Sequence, residues 1–336
     1  MADGKENKLK GLKAYTVIVA DSGDIEAIKQ HKPQDATTNP SLILKATEMP
    51  QYASIIENAM DWARKHAHKE EELVQKTVVK LFVDFGSEIL KIVPGRVSTE
   101  VDARLSFDIE GSIKRAREYI ALYEENGFGR ERILVKLAST WEGIKAAEAL
   151  EKEGIHCNMT LLFNLAQAIA SAEAKVTLIS PFVGRIFDWQ KKKEGREAIP
   201  VGEDMGVKSV EEIFHYYKKF GYKTEIMGAS FRNIDEILAL AGCDLLTIAP
   251  ALLDQLLKAE GTVPRKLNLT DAKASKLEKI HMDEKSFLWK MCEDEMASEK
   301  LFEGIRNFAK DTIKLEGYLR DKFFRGNTKL SSSKPL

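Results

Sequence analysis

The 336-residue chain is first narrowed by what it has little of. It carries three cysteines, Cys157, Cys243 and Cys292, and no two of them form a CxxC pair. Neither a disulfide framework nor a thiolate metal site is expected from such a set. The six histidines are scattered without ligand spacing, and His66 and His68 sit in a charged stretch expected to face solvent, so no metal is expected. No run of about 18 apolar residues occurs, which predicts no membrane span. The first ten residues are polar, so no secretory leader is expected either. Charge of one sign is missing as well. Lys and Arg number 51 against 52 Asp and Glu, a net of -1, and this balance argues against a nucleic-acid or membrane-surface partner. The basic run Lys191-Lys192-Lys193 is followed at once by Glu194 and reads as a solvated loop. Glycine-rich phosphate loops are lacking too. Gly127 and Gly129 follow a helical pattern without a third glycine, and no P-loop occurs. A reduced, cytoplasmic protein is the expectation that remains.

What the chain does have is alternation. Short apolar runs at 16–20, 35–38, 97–101, 133–137, 156–160, 176–180, 224–228 and 245–248 read as strands. Helical patterns fall between them, at 113–126, 141–153, 163–172, 210–220 and 233–241. About eight strand–helix units predict an α/β protein with a parallel sheet, most naturally a single (β/α)8 TIM barrel, which needs ~250 residues. An open doubly wound sheet is less favoured, because its glycine-rich first turn is absent. The stretch between Asn39 and Val97 leaves room for inserted helices. Residues 283–324 read as charged helices added outside the barrel. We expect a polar N-terminal segment or helix at 1–12, a catalytic domain at 13–325 and a disordered tail at 326–336.

In a barrel the chemistry gathers at the carboxyl ends of the strands, and those ends are unusually polar here. Period-two alternation in the fourth strand sets Leu134 and Lys136 opposite Ile133, Val135 and Leu137. Strands of a parallel sheet are buried on both faces, so this lysine is either a salt-bridged structural residue or a nucleophile. Desolvation favours the neutral amine of a buried lysine, and such an amine attacks carbonyl carbon. Because fully buried lysines are rare, the nucleophile is the preferred reading. In the third strand Ser98, Glu100 and Asp102 share a face, and an inward Glu100 is a counter-ion, a general acid/base, or both. Asp21 ends the first strand as either a helix cap or a site carboxylate. Asn158 and Thr160 share one face of the fifth strand, as satisfied core groups or as partners for sugar hydroxyls. Asn39 ends the second strand in the same way. Arg185 and Arg232 stand just past strand ends with Ser230 nearby, where forked guanidinium donors suit a phosphate.

These segments resemble the transaldolase family. The resemblance rests on DATTNPSLIL at 35–44, PGRVSTEVDAR at 94–104 and ILVKLASTWEG at 133–143. CNMTLL at 157–162, ISPFVGR at 179–185 and MGASFR at 227–232 continue it. It spans about 13–322 and is closest to the longer, dimeric branch. The resemblance implies a cofactor-free enzyme of the pentose phosphate pathway that moves a dihydroxyacetone unit from a ketose phosphate to an aldose phosphate. By the family pattern Lys136 forms the Schiff base, Asp21 shuttles the proton at the bond being broken, and Glu100 with Thr160 holds an assisting water. Asn39, Asn158 and Ser180 would grip the hydroxyls, Phe182 would exclude solvent, and Arg185, Ser230 and Arg232 would take the phosphate. Sugar phosphates and a second copy of the chain are the implied partners. The related fructose-6-phosphate aldolases carry a tyrosine and a glutamine where this chain has Phe182 and Glu100, which favours transfer over simple cleavage. An aldolase releasing free dihydroxyacetone, or an inactive sugar-phosphate-binding protein, remains the alternative. The chain departs from the family pattern at Asn164 and Leu165, where Ser-Phe is usual, along 191–204, and at Met205, which replaces a common proline.

Overall fold

The computed structural model describes residues 6–324, without the side chain of Glu71. The tail expected at 326–336 lies outside the described residues. Eight strands pair in chain order, each parallel to the next: β1 (Val17–Asp21), β2 (Asp35–Thr37), β3 (Val97–Glu100), β4 (Ile133–Ala138), β5 (Cys157–Leu162), β6 (Leu178–Pro181), β7 (Glu225–Gly228) and β8 (Leu245–Ile248). β8 also pairs with β1, so the sheet closes into a (β/α)8 barrel. Every predicted strand forms, with bounds displaced by no more than two residues.

Helix α1 (Lys8–Lys13) precedes the barrel, with Leu9 and Leu12 buried, and α2 (Ile25–His31) follows β1. The β2–β3 connection carries the expected insertion as α3 (Pro40–Thr47), α4 (Ala53–His66) and α5 (Glu70–Leu90). Then come α6 (Ile109–Glu125), α7 (Trp141–Lys152), α8 (Leu165–Glu173), α9 (Gly184–Glu194), α10 (Met205–Phe220) and α11 (Ile234–Ala239). After β8 the chain adds α12 (Pro250–Lys258), α13 (Leu269–Ala274), α14 (Glu284–Glu293) and the 30-residue α15 (Glu295–Phe324).

Short polar residues start the helices that follow strands, because a side-chain oxygen satisfies orphan N–H groups of the first turn. Asp24 caps α2, Asn39 caps α3, Thr140 caps α7 and Asn233 caps α11. Asn164 and Gln167 form a reciprocal capping box on α8. The same chemistry corrects two helix starts. α6 begins at Ile109 because Asp108 caps it, and α10 begins at Met205 because Asp204 caps it. The run Lys191-Lys192-Lys193 is the last turn of α9 rather than a loop, where cations suit the helix dipole, and Lys193 pairs with Glu295 at 2.7 Å.

Two apolar layers hold the barrel. Outside, the strands pack against the helices in one continuous core. Inside, Val19, Leu134, Leu178, Met227 and Leu245 form a separate cluster, a dry floor under the inward-facing polar side chains. Below it Arg96 spans the amino-terminal end, with Nε 3.1 Å from Asp35 Oδ2 and NH1 2.7 Å from Glu225 Oε2. Helix α15 buries Leu301, Gly304, Phe308, Thr312, Leu315 and Leu319, a helical stripe at spacings of three and four. That stripe packs on α3, α5, α9 and β5, and Ser41 donates a hydrogen bond to Asp311.

Leu178 is wholly buried in the inner floor. Leu178→Ala should lower stability by about 2–5 kcal/mol in urea unfolding, since no helix can slide inward to fill the space.

Candidate active site

Lys136 lies on the inner face of β4, 4% exposed, and is the register partner of Glu100 on β3 and Asn158 on β5. Its Nζ is 3.4 Å from Glu100 Oε2 and donates to the Thr38 carbonyl at 3.2 Å. An ammonium this deep needs such partners, because its desolvation is costly. Burial pushes the Glu100 carboxyl up to about 7, against the opposing pull of the Lys136 ammonium and the Arg185 charge. Burial also raises the Asp21 carboxyl, opposed chiefly by Lys136 and then by the Thr37 hydroxyl. Thr37 Oγ1 donates to Asp21 Oδ1 at 3.0 Å and is 2.7 Å from Thr247 Oγ1. Asp21 is therefore no helix cap. Asp24 fills that role, and Asp21 turns into the barrel with the lysine. Glu100 Oε2 and Thr160 Oγ1 are buried and make no hydrogen bond among the described residues.

One side of this charged centre is a ladder of neutral groups. Ser180 Oγ donates to Asn158 Oδ1 at 2.6 Å, and Asn158 Nδ2 donates to Ser98 Oγ at 3.0 Å. Ser98 and Glu100 share the inward face, as the alternation predicts. Asp102 leaves it: beyond the strand it caps a turn and pairs with Arg104 at 2.6 Å. Asn39 is half-buried, and its Oδ1 accepts from Leu42 N as the α3 cap, so this expected ligand has a structural task as well.

The two arginines differ. Arg185 is sandwiched between the Phe182 and Phe308 rings, 4.8 and 5.2 Å from their centroids. Burial lowers its pKa, partly offset by Glu100. Arg232 is exposed, and Asp188 Oδ2 accepts from its Nε at 3.0 Å and its NH2 at 2.8 Å. Its NH1 lies 3.4 Å from Ser230 Oγ. Ser230 adopts a left-handed backbone, φ 63°, which an L-residue keeps only when its surroundings require it. Here Val183 N donates to Ala229 O at 2.8 Å and Gly184 N to Ser230 O at 2.6 Å, stitching the turns after β6 and β7 together.

Several contributors escape a reading of strand ends. Ser98 was placed on the Glu100 face by alternation but without a role, and Thr37 and Thr247 were not singled out; their hydroxyls lie 2.7 Å apart beside Asp21. Phe308 left no local signal, since it comes from α15, far along the chain. The departures from the family pattern find local reasons. The Met205 N–H donates to Gln190 Oε1 at 2.9 Å, a bond that proline cannot make. Asn164 caps α8 and also donates to Asp294 Oδ2 at 3.2 Å. Size alone does not locate this site. A cleft of about 820 Å³ lies outside the barrel, between Phe163, Trp189, Lys208 and Glu293, and none of the expected site residues lines it.

A buried lysine paired with a buried carboxyl and acted on by a second, half-buried one, a ladder of hydroxyl and amide groups, and two guanidinium groups at the rim together suit amine attack on the carbonyl of a polyol anion. The Glu100 carboxyl is held above its ordinary value of 4.5, so its contribution to stability is complete below that value and is lost as pH rises through about 7. Unfolding free energies measured from about pH 5 to about 8 should fall less in Glu100→Gln than in wild type, since the amide cannot ionise. Parallel curves would contradict the assignment.

Comparison with known proteins bears on this chemistry. The sequence pattern of the family described as Transaldolase/Fructose-6-phosphate aldolase matches residues 18–319. The chain is 59% identical over 319 residues to a protein named Transaldolase from Protochlamydia amoebophila, covering 95% of this chain and 99% of that one. It is 58% identical over 320 residues to the Transaldolase of Rattus norvegicus, and 57% identical over 320 residues to that of Homo sapiens, covering 95% of both chains in each case.

Proposed function

The chain belongs to the transaldolase/fructose-6-phosphate aldolase family, and from that premise we propose that it transfers a dihydroxyacetone unit between sugar phosphates through a Schiff base on Lys136. The observation that carries the reading is the buried Lys136 amine set between Glu100 and the Thr38 carbonyl. Fructose 6-phosphate or sedoheptulose 7-phosphate is the donor, and glyceraldehyde 3-phosphate or erythrose 4-phosphate the acceptor.

Lys136 passes a proton to the adjacent Glu100, the freed amine adds to the donor ketone carbon, and the carbinolamine, protonated on its hydroxyl, loses water to give a protonated imine. Glu100 and Thr160, whose Oε2 and Oγ1 are buried without a hydrogen bond among the described residues, hold and move the protons and water of that exchange. Asp21, steadied by Thr37, then takes the proton of the C4 hydroxyl. The C3–C4 bond breaks, the aldehyde leaves, and the bonding pair moves into the imine to form an enamine. The acceptor aldehyde is attacked by that carbon and regains the proton from Asp21. Water finally hydrolyses the new imine and frees Lys136. Asn158, Ser180 and Asn39 orient the hydroxyls, and Phe182 keeps water off the enamine. Arg185, Ser230 and Arg232 receive the phosphate.

Release of free dihydroxyacetone is the less favoured outcome, since the relatives above carry the name Transaldolase. We also infer a cytoplasmic homodimer in which residues 13–325 act as one catalytic domain. Three unpaired cysteines support the compartment, and among the described residues no helix is long and apolar enough to cross a membrane.

Borohydride reduction with fructose 6-phosphate and no acceptor should leave a stable adduct on the Lys136 peptide in mass mapping. Saturable binding with no adduct on any lysine would refute the mechanism. Lys136→Ala should lose turnover while keeping the fold. Asp21→Ala should still form the adduct yet cleave about 10²–10⁴-fold more slowly, as expected for a lost general base.

A further inference from the structure

Behind the rim arginines lies a pair of acids that the mechanism does not use. Asp204 and Glu236 are each 1% exposed. Asp204 Oδ1 caps α10, accepting from Gly206 N at 2.7 Å and Val207 N at 3.2 Å. Glu236 Oε2 accepts from Arg232 N at 2.7 Å. The second oxygen of each carboxyl, Asp204 Oδ2 and Glu236 Oε1, is buried and has no donor, and the two carboxyls act directly on one another. One proton held between them gives both oxygens a partner, which two bare carboxylates in a buried site cannot have.

We propose that Asp204 and Glu236 share a proton, and that this acid pair is the device that positions the Ser230–Arg232 turn for phosphate. The inference rests on the assignment of Arg232 to the phosphate made above. The mechanical path is short. Asp204 holds the first turn of α10, where Gly206 packs against the Val183 backbone. Val183 and Gly184 in turn donate to Ala229 O and Ser230 O, and Glu236 holds Arg232 by its N–H. The pair thus clamps both ends of a turn that contains the left-handed Ser230. The charges around it are disposed elsewhere. Glu203 pairs with Arg196 at 2.8 Å, the Arg232 guanidinium is held by Asp188 of α9, Asp235 is exposed, and Lys208 of α10 is the cation that acts on Asp204.

Burial pushes the Glu236 carboxyl up to about 7, and the Asp204 charge adds to this. Glu236 is raised above its ordinary value of 4.5, so the stabilisation from the shared proton is complete below that value and is lost as pH rises through about 7. Above that, two facing carboxylates loosen the turn, and the binding of phosphorylated substrate weakens while that of unphosphorylated substrate does not.

The test compares KM for glyceraldehyde 3-phosphate and for glyceraldehyde, at saturating donor, from about pH 6 to about pH 9. In wild type the ratio of the two KM values should rise about tenfold across that range, the loss expected when one buried hydrogen bond fails. Glu236→Gln keeps a neutral partner at every pH and should flatten this rise, with kcat less affected than KM. Asp204→Asn, whose amide donates to Glu236 at every pH, should flatten it too and serves if the first variant folds poorly. Arg232→Ala should weaken the phosphorylated acceptor selectively. If it weakens both acceptors equally, the phosphate assignment falls and this inference with it. If Arg232→Ala discriminates but Glu236→Gln and Asp204→Asn keep the wild-type pH response, or wild type shows none, the acid pair is overturned alone.

Discussion

The burial of one ammonium group governs the rest of this structure. Lys136 faces the interior of a closed barrel, where water cannot compensate its charge, and the surrounding residues meet that demand. Glu100 stands beside it because β3 and β4 pair in a register that aligns them, and the Thr38 carbonyl accepts a hydrogen bond from the Lys136 Nζ. Asp21 arrives from β1, held by the Thr37 hydroxyl, which in turn meets that of Thr247. Each carboxyl is held against burial by the lysine, so their protonation behaviour belongs to the cluster rather than to any residue alone. Beneath lies the apolar floor of Val19, Leu134, Leu178, Met227 and Leu245, which keeps the site dry from below. The polar chemistry and the apolar support are consecutive layers of the same eight strands.

The rim follows a different logic. Arg185 is desolvated between two aromatic rings, one from its own turn and one from α15, so its direction is set before any ligand arrives. The Arg232 guanidinium stays in water, held by Asp188, while its backbone N–H donates to the Glu236 carboxyl. A strained backbone at Ser230 is tolerated because neighbouring turns bond to it and the Asp204–Glu236 pair stands behind it. Gly304 lets α15 approach Leu161 and Arg185, since a Cβ there would lie 2.6 Å from the Leu161 side chain. An outer helix therefore takes part in shaping the interior site.

Much of this was legible in the residues. A lysine alternating with leucine in an otherwise apolar strand is buried whichever face it takes, which marks it as a structural ion pair or a nucleophile. The same period-two argument places Asn158, Thr160, Ser98 and Glu100, and family resemblance adds what each of them does. Where local reasoning stopped, the cause is physical. Asp21 and Asp24 are both acids near the start of α2, and only the path of the turn decides that Asp24 caps while Asp21 points inward. Asn39 read as either a satisfied structural amide or a ligand, and the structure shows that it caps α3, because caps and sugar ligands call for the same side-chain oxygen. α10 starts earlier than its apolar period suggests, because a cap at Asp204 acts at a distance of one turn.

By itself the sequence determined the order and kind of the elements, the burial of Lys136 and the polar character of the strand ends, since these depend on alternation and capping within a few residues. Only the tertiary structure decided which carboxyl lies next to the lysine, because that depends on the stagger between strands in a closed sheet. It also decided that Phe308 would cover Arg185 and that Asp204 would meet Glu236. Those contacts join segments far apart in the chain, and no local pattern specifies a meeting that chain closure and helix packing bring about.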